Sequence, residues 1–332
     1  MTSDDFTVLI PTRNRAAALE ITLEAMTRVR RDGLRVRFVV IDNGSSDQTR
    51  AVLDRFRARL PLVTLCEPSA GKSRALNHAL RHVALGAVVV FTDDDITPME
   101  DWFEVIGECC ARWPQHDVFG GAIEPAWPPG CLLPGWAKQE TVQILAFARH
   151  ALGSEEHEYA FGENPFGGNF WVRSCALNGL RFEERVGAHP TRQRLGDETQ
   201  FLQQLRRRGR TPVHVPGARV LHRVEAARTT KAAVYRRALQ GGLGAVYVRG
   251  LPELELFGRS RSRWRIGRVQ QIGARLRRLL PCLFSPDETR RVRETILFIW
   301  KVSEHAQALR LSFCADTSLM AWISTQDPHT AR

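Results

Sequence analysis

Ala87-Val-Val-Val-Phe-Thr-Asp-Asp-Asp95 is the stretch that decides how this chain reads. A β-branched apolar run stops abruptly at three adjacent carboxylates. A buried strand does not carry three unpaired charges in a row, because each costs several kcal/mol or forces protonation. The chain is therefore expected to leave its sheet here, at the carboxyl end of a strand, where open α/β sheets place their ligands. Three acids at a strand end suit a hard divalent cation with oxygen ligands. The competing reading is a solvated turn or helix N-cap, since Thr97 and Pro98 follow and a helix is expected from about Glu100.

Upstream, strand and helix signals alternate. Strands are predicted over 6–10, 37–41, 62–66 and 87–91, and helices over 16–29, 49–60 and 73–85, the first with Leu19, Leu23 and Met26 at helical spacing. This order predicts a mostly parallel sheet with helices on both faces. Four polar clusters follow the strands: Pro11-Thr-Arg-Asn-Arg15, Asp42-Asn-Gly-Ser-Ser-Asp47, Glu67-Pro-Ser-Ala-Gly-Lys-Ser73 and Thr92-Asp-Asp-Asp95. A parallel sheet gathers all four on one edge.

Farther along, 113–168 is rich in Pro, Gly and aromatic residues and reads as loops and irregular strands that shape a pocket. A helix is predicted over 196–207 and one or two short strands over 211–222. Beyond Val224 the chain turns helical and basic, so a boundary is placed near 225, giving domains 1–225 and 226–332. Between Arg259 and Arg278 stand eight arginines and no acid, with Ile266, Val269, Ile272, Leu276 and Leu279 at helical spacing. That pattern suits either an anionic membrane surface or a helix packed on the rest of the protein with its arginines in solvent.

The 332 residues carry a net charge of +11, which points to anionic partners. No module for nucleic acid accompanies the charge. No stretch is long and apolar enough to span a bilayer. The opening MTSDDFTVLIPTRNR is acidic and then strand-like, unlike a signal peptide. Seven cysteines, without a C-x-x-C pair, support neither a disulfide framework nor zinc and fit a reducing, cytoplasmic compartment. Gly71-Lys72-Ser73 imitates a phosphate-binding P-loop, but the glycine that motif requires five positions earlier is Cys66.

In order and spacing, PTRNR, IDNGSSDQT, GKSRALNHAL and TDDD resemble inverting glycosyltransferases of family 2 with the GT-A fold, of the nucleotide-diphospho-sugar transferase superfamily, over about residues 6–230. The resemblance implies an α/β, Rossmann-like fold. Residues 1–110 form its nucleotide-binding half, 111–225 its acceptor-binding half, and 226–332 a helical basic extension. It implies a nucleoside-diphosphate sugar donor of the UDP or dTDP type, a hydroxyl acceptor, and Mg²⁺ or Mn²⁺.

By the same resemblance, Asp42 accepts a hydrogen bond from the base, and Pro11, Thr12, Arg13, Arg15, Gly71, Lys72 and Arg74 contact the nucleotide. Asp95 binds the metal, Asp93 the ribose or the metal, and His222 is a further metal or phosphate contact; Asp94 stays ambiguous between them. Gly168, Asn169 and Trp171 face the sugars, although Trp171 reads equally as core. Glu198 is the base by position, with Asp197 the alternative, because Asp197-Glu198 reverses the usual order of acids. The implied place of work is the cytoplasm, at the inner face of the membrane if the basic helix docks there. Two rivals remain: a nucleotidyltransferase, which PTRNR disfavours by lacking glycines, and a non-catalytic peripheral membrane protein with a transferase-like fold.

Overall fold

The computed structural model describes residues 5–191, 193–250 and 261–313. Two compact units partition the chain. Met1–Trp127, Ala148–Arg185 and Glu198–Val224 make the first; Pro128–Phe147, Val186–Asp197 and Glu225–Arg332 make the second.

The first unit is an open mixed sheet covered on both faces. Its strands are β1 (Asp5–Thr12), β2 (Arg35–Asp42), β3 (Leu62–Cys66), β4 (Val88–Thr92), β5 (Ile96–Pro98), β6 (Val118–Ala126), β7 (His157–Glu158), β8 (Asn169–Arg173) and β9 (Pro212–Arg223). The spatial order is β3-β2-β1-β4-β8-β6-β9-β5, with β7 on β9. From β3 to β4 every pairing is parallel. Antiparallel pairing begins where β8 joins β4. The region predicted as 211–222 is one long strand, running parallel to β6 with a register shift between Gly121 and Ile123.

Alternation along the strands assigns the two faces. Phe6, Val8 and Ile10 of β1 and Val88 and Val90 of β4 join one core, which receives Leu19, Leu23 and Met26 of α1 (Ala16–Arg28) and Trp102, Phe103 and Ile106 of α4 (Trp102–Arg112). Leu9, Val89 and Phe91 join the other, which receives Ala75, Leu76 and Ala79 of α3 (Lys72–His82) and Phe201, Leu202 and Leu205 of α7 (Asp197–Arg207). β4 is buried along its whole length, as expected of a strand with covers on both faces. Burying side chains such as Leu19, Leu23 and Met26 stabilises by roughly 1.5–3 kcal/mol each. These contacts fix the sheet edge on which the polar clusters sit. The second helix, α2 (Thr49–Phe56), stops short of the predicted 49–60.

The helix expected from about Glu100 begins at Trp102 instead. Between it and the Asp run lies the short strand β5, which pairs antiparallel with β9 through Ile96↔His222. The chain therefore leaves the sheet after Thr92 and re-enters it at Ile96, with only the three acids between. That excursion holds the acids in place.

The second unit is helical in its described C-terminal part: α8 (Lys231–Arg249), α9 (Arg261–Leu283) and α10 (Glu288–Ser312). Thr230 caps α8 by accepting from the Ala233 amide, and Asp287 caps α10 by accepting from the amides of Thr289 and Arg290. Three glycines inside α8 lower its intrinsic helix propensity, and packing against α10 explains Gly241 and Gly242. A Cβ on Gly241 would lie 2.0 Å from the Trp300 ring, and one on Gly242 would lie 1.9 Å from Ser303 Oγ. Only hydrogen at these positions lets α10 approach so closely. Arg259 and Ser260, part of the basic stretch, lie outside the described residues.

Candidate active site

The parallel register brings the strand ends together. Thr12 lies opposite Asp42, and Asp42 opposite Cys66. On the other side of β1, Leu9 lies opposite Phe91, one residue before Thr92. The loops after β1, β2, β3 and β4 thus open on the same edge, as the sequence predicts.

The three acids occupy three different environments. Asp94 and Asp95 are buried. Asp94 accepts from Thr12 Oγ1 at 2.7 Å and pairs with Arg15 Nη1 at 2.8 Å. Burial raises its carboxyl to about 6; Asp95 and Asp93 push the same way, and Arg15 and Thr12 oppose them. Asp95 Oδ2 meets Arg15 Nη2 at 3.1 Å and His222 Nε2 at 3.5 Å. Asp93 is partly exposed and points to Lys72, whose Nζ is 2.6 Å from its Oδ1. The expectation that buried strands exclude unpaired acids therefore holds through pairing rather than through exposure: Arg15 serves both buried carboxylates.

Lys72 also reaches Glu198, at 2.5 Å from Oε1. One ammonium thus ties the Asp run to the first turn of α7. Gly167 makes room for this arrangement, because a Cβ there would fall 2.2 Å from Glu198 Oε1. A Cβ on Gly168 would lie 3.7 Å from Asp93 Oδ2, so this backbone approaches the cluster closely. The Gly168 carbonyl accepts from Thr92 Oγ1 at 2.8 Å. Asp197 is buried and belongs to the second unit's segment Val186–Asp197.

The β1 and β2 loops are held by local hydrogen bonds. Asp42 Oδ1 accepts the Ser45 amide at 2.9 Å, while Oδ2 accepts no hydrogen bond among the described residues. Arg13 Nη1 donates to the Asn43 carbonyl. Asn43 is buried and braces the third loop: its amide nitrogen donates to the carbonyls of Glu67 and Ser69, and its Oδ1 accepts the Gly71 amide at 2.7 Å. Gly71 has φ +135, a conformation that favours glycine. Arg74 donates to Glu184 at 2.9 Å. Pro11 sits within β1, buried opposite Ile41.

Two residues expected at the sugars are core residues instead. Trp171 is fully buried and stacks on Phe119, with ring centres 5.7 Å apart. β8 inserts between β4 and β6, which places this side chain inside the first core cluster. Asn169 is fully buried as well. Its amide nitrogen donates to the carbonyls of Ala122 and Ala218, and its Oδ1 accepts from Trp102 Nε1. Those bonds tie β8 to the core.

Sequence reasoning missed Arg223. Its guanidinium donates to the carbonyls of Ala18, Asp94 and Ile96 and to the hydroxyls of Thr22 and Thr97. Its amide donates to the Asp95 carbonyl at 2.9 Å. Arg223 thus locks the backbone of the Asp excursion onto α1. No sequence motif marks it.

Among the described residues, no three His, Cys, Asp or Glu side chains converge to hold a cation as they stand. Arg15 and Lys72 provide the positive charge at the acids. The donor set still fits a divalent ion chemically: two carboxylates, from Asp93 and Asp95, and an imidazole, from His222.

Residues 7–112 match the family model for Glycosyl transferase family 2. The match spans β1 to α4, the part of the chain that carries the four polar loops. Glycosyltransferase AglE of Haloferax volcanii is 29% identical over 124 residues, which are 37% of this chain and 40% of that protein. The chain therefore matches about two-fifths of that relative's length. Among solved structures, GalNAc-T7 with UDP, GalNAc and Mn²⁺ has a TM-score of 0.50 at 14% identity, over 67% of this chain and 43% of that one. This likeness shows the fold, which is GT-A. The mannosyltransferase PcManGT from Pyrobaculum calidifontis, in complex with GDP-Man and Mn²⁺, has a TM-score of 0.49 at 19% identity, over 98% of this chain and 85% of that one.

Proposed function

We propose that this chain transfers a sugar from a nucleoside-diphosphate sugar to a hydroxyl acceptor with inversion at the anomeric carbon, and that transfer depends on a divalent cation. The observation that carries the reading is Lys72. Its Nζ lies within 2.6 Å of Asp93 and 2.5 Å of Glu198, joining the predicted donor-binding acid to the predicted base across more than a hundred residues of chain.

Glu198 is the base. It takes the proton of the acceptor hydroxyl while the acceptor oxygen bonds to the anomeric carbon. The carbon–oxygen bond to the diphosphate breaks in the same displacement, and the nucleoside diphosphate leaves. A single displacement inverts the centre. Lys72 holds Glu198 near the donor acids and places a positive charge beside the departing diphosphate. Asp42 has Oδ2 available for a base N–H, which suits a uridine or thymidine nucleotide, with Arg13 on the neighbouring loop. Asp93, Asp95 and His222 would hold Mg²⁺ or Mn²⁺. When bound, that cation supplies Lewis-acid neutralisation of charge on the leaving group. GalNAc-T7, with the same fold, was solved with UDP and Mn²⁺.

In this reading 1–110 binds the nucleotide, 111–225 serves the acceptor, and 226–332 is an extension. No helix of the described residues is long and apolar enough to cross a membrane. The test of the base is Glu198→Gln, which is expected to bind donor normally and lose turnover. Normal turnover in Glu198→Gln together with its loss in Asp197→Asn would transfer the role to Asp197.

A further inference from the structure

α9 faces two ways. Its inner face is settled by contacts within the second unit. Trp264 is buried with Tyr247, Ala308 and Leu311, and Leu279 is buried. Arg265 donates to the Ser312 hydroxyl and carbonyl and stacks over Phe313. Arg268 stacks over Trp264 and meets His305 Nδ1 at 3.1 Å. Leu279, expected on one face with Ile266, Val269 and Leu276, thus points inward while those three do not.

The outer face is apolar. Ile266 is 56% exposed, Val269 58%, Leu276 46%, Leu280 47% and Leu283 44%, and Phe284 just past the helix is 86% exposed. At 3.6 residues per turn, the five helical side chains fall within an arc of about 100°. Exposed Arg263 and Arg277 border this arc on one side, with exposed Arg278 beyond them. No acidic residue occurs between Glu255 and Asp287.

We propose that this face docks on an anionic lipid bilayer, with α9 lying in the plane of the interface. The apolar stripe enters the acyl boundary, and the bordering arginines reach the lipid phosphates. Charge selects this occupant. A second copy would set arginine rows against each other on chains that each carry +11. A nucleic acid would meet the arginines but gain nothing from an apolar centre. The inference stands independently of sugar transfer.

The test is flotation of the full chain with vesicles of phosphatidylcholine alone and of phosphatidylcholine mixed with phosphatidylglycerol. The protein is expected to float with the mixed vesicles only, and less as salt rises. Val269→Ser, Leu276→Ser and Leu280→Ser together are expected to weaken binding at least about 100-fold with an unchanged melting temperature. Arg263→Ser, Arg277→Ser and Arg278→Ser are expected to cost about fivefold each. This second set keeps the proposal testable should the serine triple fail to fold. Absence of flotation at low salt overturns the proposal. So does equal binding to both vesicle types, binding untouched by either set, or a dimer in sedimentation that the serine triple disperses without any vesicle binding.

Discussion

Gly167→Ala isolates the base from the rest of the site. An added Cβ would lie 2.2 Å from Glu198 Oε1, 2.4 Å from Cδ and 2.5 Å from Cγ. Ordinary contact begins at 3.4 Å, so the carboxylate must retreat by 3.4 − 2.2 = 1.2 Å. The three nearest atoms all belong to one flexible side chain, so the fold is expected to survive the change. Gly167 does not have a positive φ, so alanine introduces no backbone strain. A displacement of about 1 Å in a reacting group costs about 100-fold in rate, or about 2.7 kcal/mol of barrier. The neighbour is a matched control: a Cβ on Gly168 meets Ile96 Cδ1 at 3.2 Å, which yields by a few tenths of an ångström. The assay is release of nucleoside diphosphate from the donor that supports turnover, alongside a thermal melt. Gly167→Ala is expected to lose about 100-fold in kcat with little change in melting temperature, and Gly168→Ala to lose far less. Turnover within about threefold of wild type in Gly167→Ala, or equal losses in both variants, refutes the placement of Glu198.

The other predictions concern the core. Trp171→Ala should lower stability by about 3–5 kcal/mol in urea unfolding, as a fully buried ring does, while Trp171→Phe should leave KM for donor and acceptor unchanged; a raised KM without lost stability would return Trp171 to the sugars. His150 and His214 are buried beside Tyr159, and burial lowers their pKa values to about 3 and about 4, with the mutual proximity of the imidazoles adding to the His150 shift and His157 adding to that of His214. The unfolded chain takes up these protons near pH 6.5 and the native protein does not, so stability is complete above about 6.5 and falls as pH drops toward 4. At pH 5 the loss is about 2 kcal/mol per histidine. Urea unfolding from pH 7.5 to 5 should show a shallower loss in His150→Phe than in wild type; identical slopes would contradict the assignment.

The first half of the fold was legible because β1 to β4 follow one rule: apolar runs that end in polar loops. A parallel register then forces the loops to one edge, and the structure has Thr12, Arg15, Asp94 and Asp95 in mutual contact there. The second half was less legible because its pairings are long-range. Three residues, Ile96–Pro98, carry no strand signal by themselves, and they form β5 only because β9 arrives beside them. Trp171 and Asn169 sit in a Gly-rich segment with the look of a ligand loop, yet β8 is inserted between β4 and β6, so both side chains face protein. Arg223 carries no motif at all. Its importance appears only when five acceptors from three segments converge on one guanidinium. The family resemblance makes Lys72 a nucleotide contact, and the structure adds its bridge between Asp93 and Glu198. That bridge was invisible because the spacing between α3 and α7 holds no information about their proximity.

The central claim is that the acids after β4 bind a sugar nucleotide's diphosphate through a divalent cation. Calorimetric titration of UDP, dTDP and GDP into wild type and Asp95→Ala, with and without Mn²⁺, tests it most directly. The account predicts Mn²⁺-dependent binding of a uridine or thymidine diphosphate to wild type, and its loss in Asp95→Ala at an unchanged thermal melt. Equal binding in both proteins, or binding indifferent to Mn²⁺, would contradict it.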